Sequence, residues 1–373
     1  MITVELLDDW LEGTRCAVKE KQLQFLELMV DRVKAEYNLP RRPLPSGTGA
    51  GREPMRYLLH GPPGTGKSHV LRYVKELFDL IGLRQGVDWE ILAYQNSNAS
   101  DLGGRAIHAA FGFSQYGASR DQGISAEIVK GMAHWRWLFV DEISLVPASM
   151  LAMMDQRLRE IKADADEWKL DHQGKARSFG GVNILASGDF EQLPRVGGGY
   201  LADVPDHLLR EPGEQAPAGQ VKDPYGELGK ALMWGDFQGV IELTERERCK
   251  DDWWNEVSDQ IRSGRLSENN WKYLHGKPVD GCSLSPEERA SRRRVIAGPN
   301  DPRLRETKFQ EAPAVVASND SKYQINKDRA KKYARDTGAA LRWSVAKDVA
   351  SCEALKAEHC DKARKIRRLG AKK

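Results

Sequence analysis

Lys67 and Ser68 close the run Gly61-Pro-Pro-Gly-Thr-Gly-Lys-Ser68. That spacing suits one kind of chemistry. Gly61, Gly64 and Gly66 let backbone N–H groups of the loop, that of Thr65 among them, turn inward around phosphate oxygens; Lys67 reaches the β- and γ-phosphates and Ser68 can hold Mg²⁺. The loop needs a strand before it and a helix after it. MRYLLHG precedes it as a short apolar strand, and GKSHVLRYVKELFDLIG follows with helical spacing. The N-terminus of that helix adds its positive dipole end to the phosphate site.

A second stretch, WLFVDEIS, sets Asp141 and Glu142 at the C-terminal end of an apolar strand, where ligands bind in open α/β sheets. Asp141 is placed to hold Mg²⁺ through water, and Glu142 to orient and activate an attacking water. A third, ILASGDFEQLPRVGGG, is a strand that stops at Gly188-Asp189 and continues into an acid, a glutamine and a proline. If that strand neighbours the other two, its tip points at the same phosphates. Asp189 and Gln192 then read as γ-phosphate sensors, with Pro194 stiffening the turn. The structural alternative is a plain Asx-turn at a strand end.

The elements that must carry these residues follow from periodicity. KQLQFLELMVDRVKAEY places Phe25, Leu26, Met29, Val30 and Val33 on one helical stripe. NLPRRPLPSGTGAGREP is a Pro/Gly loop. WEILAYQ, WRWLFVDE and GVNILASGD are further strands, apolar enough to be buried in a parallel sheet. GGRAIHAAFG reads as a short helix, and PASMLAMMDQRLREIKADADEW as a long one with Leu151, Met154, Leu158 and Ile161 on one face. Residues 195–228 look like a long connection, VIELTERER resumes order, DDWWNEVSDQIRSG is helical, and APAVVASND is a strand before the helix KYQINKDRAKKYAR. Strands alternating with helices imply a doubly wound parallel α/β sheet. The expected organisation is an N-terminal helix and linker over residues 1–55, an ATPase domain over 56–240, and a short second part with a basic tail over 241–373.

Composition narrows the class. The chain has 373 residues, 40% hydrophobic and 30% charged, which is globular. Net charge is only +3, so nothing global argues for nucleic acid; basic runs are local, at Arg292–Arg294 and in the tail DKARKIRRLGAKK. Five scattered cysteines with no C-x-x-C spacing argue against a zinc site or a disulfide framework and fit free thiols in a reducing, intracellular compartment. No apolar run approaches a membrane span, and MITVELLDDW is not a signal peptide.

GDFEQLP, taken with GPPGTGKS and VDEIS, resembles the Pif-type (petite integration frequency) branch of superfamily-one DNA helicases, relatives of the RecD-like and Helitron-encoded helicases. Residues 188–194 fit the family's G-D-F-x-Q-L-P at every fixed position. The resemblance covers roughly residues 19–335. It implies two RecA-like domains, ATP and Mg²⁺ as cofactors, and an ATP-dependent helicase that moves on single-stranded DNA, typically 5′ to 3′, and opens forked duplexes. Roles in replication, repair, recombination and telomere maintenance, in the nucleus or mitochondrion of a eukaryote, are implied in the same way. YQNSNASDLGGRAIHAAFGF resembles motif Ia, matching at Gly103, Gly104, Ile107 and His108 with Ala106 in place of Thr; Asn96, Ser97 and His108 inherit its contact to single-stranded DNA. KEKQLQF resembles the Q-motif, with Gln22 or its neighbour Gln24 reading the adenine edge. IELTERERCKDDWWNEVSDQIRSG resembles motif IV, where Arg248 would reach the γ-phosphate and Cys249 replaces the usual Gln. VVASNDSKYQIN matches the next unit at Asn319 and Asn326.

Motifs V and VI of the family do not follow Ala350, so the second RecA-like domain is expected to be incomplete. An arginine finger contributes roughly 10³ to 10⁵ in rate to phosphoryl transfer. With Arg248 alone, the expectation is tight nucleotide binding and slow hydrolysis. The alternative is a helicase remnant that binds nucleotide and DNA without unwinding. A ring-forming AAA-type ATPase shares the GPPGTGK spelling, but it needs a sensor Asn on the fourth strand and a helical lid.

Overall fold

The computed structural model describes residues 2–40, 53–113, 125–162, 166, 168–193, 199–209, 223–275, 277, 306 and 318–342, except for the side chains of Ser97, Asn98 and Asn319. Met1–Lys272 form one compact unit and Tyr273–Lys373 another.

The first unit is built on six strands: β1 (Arg56–His60), β2 (Trp89–Ala93), β3 (Arg105–Ala106), β4 (Trp137–Asp141), β5 (Asn183–Gly188) and β6 (Gly239–Glu242). All pairings are parallel and the order is β3-β2-β4-β5-β1-β6. Two helices precede the sheet, α1 (Val4–Arg15) and α2 (Glu20–Glu36). Between strands run α3 (Lys67–Leu80), α4 (Asn96–Asp101), α5 (Ile107–Phe111), α6 (Ala126–Met132), α7 (Ala148–Ile161) and α8 (Pro224–Gly235); α9 (Asp252–Arg262) and α10 (Glu268–Leu274) follow β6.

Because strand side chains alternate between faces, each central strand feeds two cores. Leu58, Leu138, Val140, Ile184 and Ala186 join α5, α7 and α8 on one face through Phe111, Leu151, Met154 and Leu232. Leu59, Phe139, Leu185 and Ile241 join α1, α2 and α3 on the other through Leu11, Phe25, Met29, Val70 and Phe78. Burial on both sides is what makes these strands read as continuous apolar runs. The fold is the doubly wound α/β class that the pattern implies. The α2 stripe from Phe25 to Val33 is buried as spaced. The N-terminal segment carries an additional helix, α1, capped by Thr3, and its Leu7 and Leu11 share the second core.

Three elements differ from the sequence reading. The long helix from Pro147 stops at Ile161 instead of continuing to Trp168. Lys162 turns extended and points its ammonium inward to the carbonyls of Ala133 and Trp135, while Trp168 lies against the guanidinium groups of Arg32 and Arg136. Residues 224–228, read as connection, begin α8: Asp223 caps it by accepting from the Gly226 N–H, and Pro224 stands where a missing N–H does no harm. Arg105–Ala106, read as helix, pair with β2 as a short edge strand before α5 starts. The expected strand at APAVVASND lies, up to Ala317, outside the described residues, as does Pro194.

In the second unit the described element is α11 (Asn319–Thr337), capped by Ser318 accepting from the Ser321 N–H and ended by Gly338 in the left-handed region.

Candidate nucleotide site

The strand order places the three motifs side by side. β1 and β5 are neighbours, with His60 opposite Gly188, and β5 and β4 are neighbours, with Val140 opposite Ala186. The loop after β1, the tip after β5 and the acids after β4 therefore share the C-terminal rim of the sheet, the usual ligand crevice of this architecture.

The phosphate loop is held from three directions. Gly61, Gly64 and Gly66 have φ of 152°, 86° and 88°. A Cβ at Gly61 would meet Leu243 O at 2.3 Å, one at Gly64 the Cβ of Arg248 at 2.9 Å, and one at Gly66 the Nε2 of Gln22 at 2.3 Å. These glycines are thus required both by backbone conformation and by neighbours pressed against the loop. Thr65 Oγ1 donates to Pro62 O over 2.8 Å and ties the loop across its own turn. Lys67 Nζ donates to Gly61 O over 2.6 Å and Pro62 O over 3.1 Å. Ser68 is exposed on the first turn of α3. Burial lowers the pKa of Lys67; Glu142, Asp189 and Asp141 pull it back up, and Arg262 adds to the lowering.

Asp141 ends β4 and accepts from the hydroxyl of Ser187 on β5. Glu142 follows with φ 50° and ψ 47°, a left-handed backbone that disfavours a residue with a Cβ by roughly 1 kcal/mol. Its Oε2 is buried and has no hydrogen-bond partner among the described residues. Burial raises the Glu142 pKa, Asp141 raises it further, and Lys67 opposes both.

The β5 tip is organised around Asp189, which is fully buried. Arg262, the last residue of α9, donates to it through Nη2 at 2.7 Å and Nε at 3.2 Å, and its Nη1 lies 2.8 Å from Glu191 Oε2. The Glu191 N–H donates to Asp189 Oδ1 over 3.0 Å, which is an Asx-turn, and the Phe190 N–H donates to His60 Nε2 over 3.1 Å. Burial pushes the Asp189 carboxyl up, but the hydrogen bonds from Arg262 and Glu191 outweigh it and leave the group below the ordinary carboxylate range. Both readings of the tip are therefore partly present: it is an Asx-turn, and it sits beside the loop. The expected sensor Asp189 spends its carboxylate on Arg262, whereas Gln192 is half-buried, its N–H donating to Asp189 O over 3.3 Å.

Of the two glutamines near the start of α2, Gln22 is buried and reaches the loop, donating to Thr65 O over 3.0 Å; Gln24 is exposed. Arg248 is exposed, its Cβ against Gly64, while the neighbouring Glu247 N–H donates to Gly64 O over 2.9 Å. The expected DNA-contact group lies on the same rim but beyond β4. Asn96 opens α4 after β2 and is exposed. His108 lies in α5 after β3, half-buried and edge-on to Tyr94 at 5.5 Å. The side chain of Ser97 is outside the described residues. Sequence reasoning missed Arg262, Lys19, Ser187 and Glu247. Arg262 was readable only as the basic end of an amphipathic helix, and nothing local points it 73 residues back to Asp189.

A family model described as PIF1-like helicase matches residues 49–201. The ATP-dependent DNA helicase Pif1 of Bdellovibrio bacteriovorus is 26% identical over 252 residues, which are 64% of this chain and 47% of that protein. The ATP-dependent DNA helicase RRM3 of Saccharomyces cerevisiae is 31% identical over 246 residues, 63% of this chain and 29% of that protein. The chain thus spans less than half the length of these curated relatives. The fold matches a solved structure of two coordinating Pif1 helicases unwinding forked double-stranded DNA, with a TM-score of 0.52 and 19% identity over 84% of this chain and 58% of that one. Residues 49–201, which carry the phosphate loop, the paired acids and the Gly188–Gln192 tip, are thus similar to PIF1-like helicases.

Proposed function

We propose that this chain binds ATP with Mg²⁺ at the rim of its sheet, hydrolyses it, and couples the cycle to movement along single-stranded DNA and opening of forked duplexes. The observation that carries the reading is the adjacency of β1, β5 and β4, which brings Lys67, Gln192 and Glu142 to one rim. The printed function of the relatives, ATP-dependent DNA helicase, supports it. On this reading the ATPase domain expected over residues 56–240 extends through the unit that ends at Lys272, 1–55 is a segment braced on it, and the residues beyond are part of a second RecA-like domain, working inside the cell at DNA.

The loop N–H groups and the start of α3 bind the phosphates. Lys67 exchanges the carbonyls of Gly61 and Pro62 for phosphate oxygens. The residues fit Mg²⁺: Ser68 and Asp141 would hold it, and the buried, unpartnered Oε2 of Glu142 marks a place that takes a water or cation. The ion supplies charge neutralisation to the phosphates. Glu142 orients the attacking water and takes its proton, for which a raised pKa is the right direction. Gln192 reads the γ-phosphate and Arg248 approaches it from the segment after β6. Asn96, Ser97 and His108 contact the DNA backbone and bases without reading sequence.

ATP hydrolysis by this chain with and without single-stranded DNA, against Lys67→Ala, tests the proposal. DNA-stimulated turnover that the variant lacks supports it. Nucleotide binding with no turnover above the variant would identify instead a nucleotide- and DNA-binding protein that does not unwind.

A further inference from the structure

We infer that Arg262 is a positioning residue for the nucleotide: through Asp189 it fixes the β5 tip so that Gln192 can distinguish ATP from ADP. The inference rests on the ATP reading of the site.

A carboxylate facing a triphosphate would repel it, so Asp189 is poorly suited to touch the γ-phosphate itself. The geometry gives it another task. It is fully buried, and its oxygens accept from the Nε and Nη2 of Arg262, a planar two-nitrogen fork that matches a carboxylate. The third nitrogen of Arg262 holds Glu191. One guanidinium therefore bridges both acids of the turn that ends in Gln192, and it comes from α9, outside that turn. The remaining contacts of Asp189, from the Glu191 N–H and near His60, are local to the strand ends.

The other end of the pair is equally informative. Among α9 residues Val257 is the buried one, so little apolar packing holds this helix. Its attachments are polar: Arg246 to Asn255 and Asp259, Trp253 to Asn270, and Arg262 to the tip. A helix held this way follows its ion pairs. Any displacement of the tip by a γ-phosphate on Gln192 is transmitted to α9 through the Arg262 fork, and any displacement of α9 changes how well Gln192 is placed.

The test is calorimetric titration of ADP and ATPγS, each with Mg²⁺, into wild type, K67A, Q192A, R262A, R262K and the Q192A/R262A double variant. Wild type is expected to prefer ATPγS. R262A should lower that preference about tenfold with ADP affinity unchanged, and the double variant should lose no more than Q192A alone, because both act through one contact. If R262A does not fold, R262K carries the comparison: it keeps the charge but cannot make the fork, and is expected to lose part of the preference. Wild type binding both nucleotides equally, R262A or R262K retaining the full preference, or losses that add independently would overturn the inference and leave the ATP site standing. Wild type binding neither nucleotide better than K67A would overturn the ATP reading, and the inference with it.

Discussion

Gln22 joins the first turn of α2 to the phosphate loop: its Nε2 donates to Thr65 O over 3.0 Å, while its Oε1 accepts from the Lys19 N–H, also at 3.0 Å. Lys19 in turn lies 3.5 Å from Glu245 and 3.3 Å from Glu247, and the Glu247 N–H reaches Gly64 O. The helix start and the segment after β6 thus clamp the loop from two sides. Gln22→Ala leaves the buried Thr65 carbonyl without its donor, a loss of about 1–3 kcal/mol. A lower melting temperature and weaker ADP binding together are expected. A variant that melts lower but binds ADP as wild type would mean that the clamp supports the fold and not the loop.

Glu142 should give turnover a displaced acid limb. In the proposed role as base it must be ionised to take the water's proton, and burial raises its pKa. The ionised fraction therefore falls at a higher pH than for an exposed glutamate near ~4.3, and kcat should decline with it on acidification. A pH–rate profile measures this. Glu142→Gln should remove turnover while retaining nucleotide binding.

Gly229 lets α7 and α8 cross closely, since a Cβ there would stand 1.7 Å from Ala148 O. Gly229→Ala must push the helices apart, at about 1–3 kcal/mol. Denaturant unfolding should show the loss.

Glu36 neutralises two arginines at the opposite end of the sheet. It lies 2.9 Å from Arg32 and 2.6 Å from Arg136, and accepts from Asn183 over 2.7 Å. Burial lowers the Arg32 pKa to about 10 in spite of that partner. Glu36→Gln keeps the shape but strands the two cations, which should destabilise the unit by about 3–5 kcal/mol. Chemical denaturation of the variant against wild type checks it.

Local chemistry was legible because it is written in adjacent residues. The glycine spacing of the phosphate loop, the apolar strands ending in Asp141 and Glu142, and the stripe from Phe25 to Val33 each depend on conformational preference or periodicity within one element. From these alone the chain is a doubly wound ATPase-type sheet with its phosphate loop between β1 and α3. The stop of α7 at Ile161 was not legible, since it depends on Lys162 finding the carbonyls of Ala133 and Trp135. The start of α8 was hidden by its Pro and Gly content, although Gly229 is there to meet α7.

Which of Gln22 and Gln24 faces the loop, and what Asp189 holds, were decided by the tertiary structure. Both glutamines fit the same helix, and only packing of α2 on the sheet turns one of them to Thr65. The pairing of Asp189 with Arg262 needs β5 between β4 and β1 and α9 laid beside its tip. Contacts across such separations reflect the sum of burial and pairing over the whole unit, and no single element carries that sum.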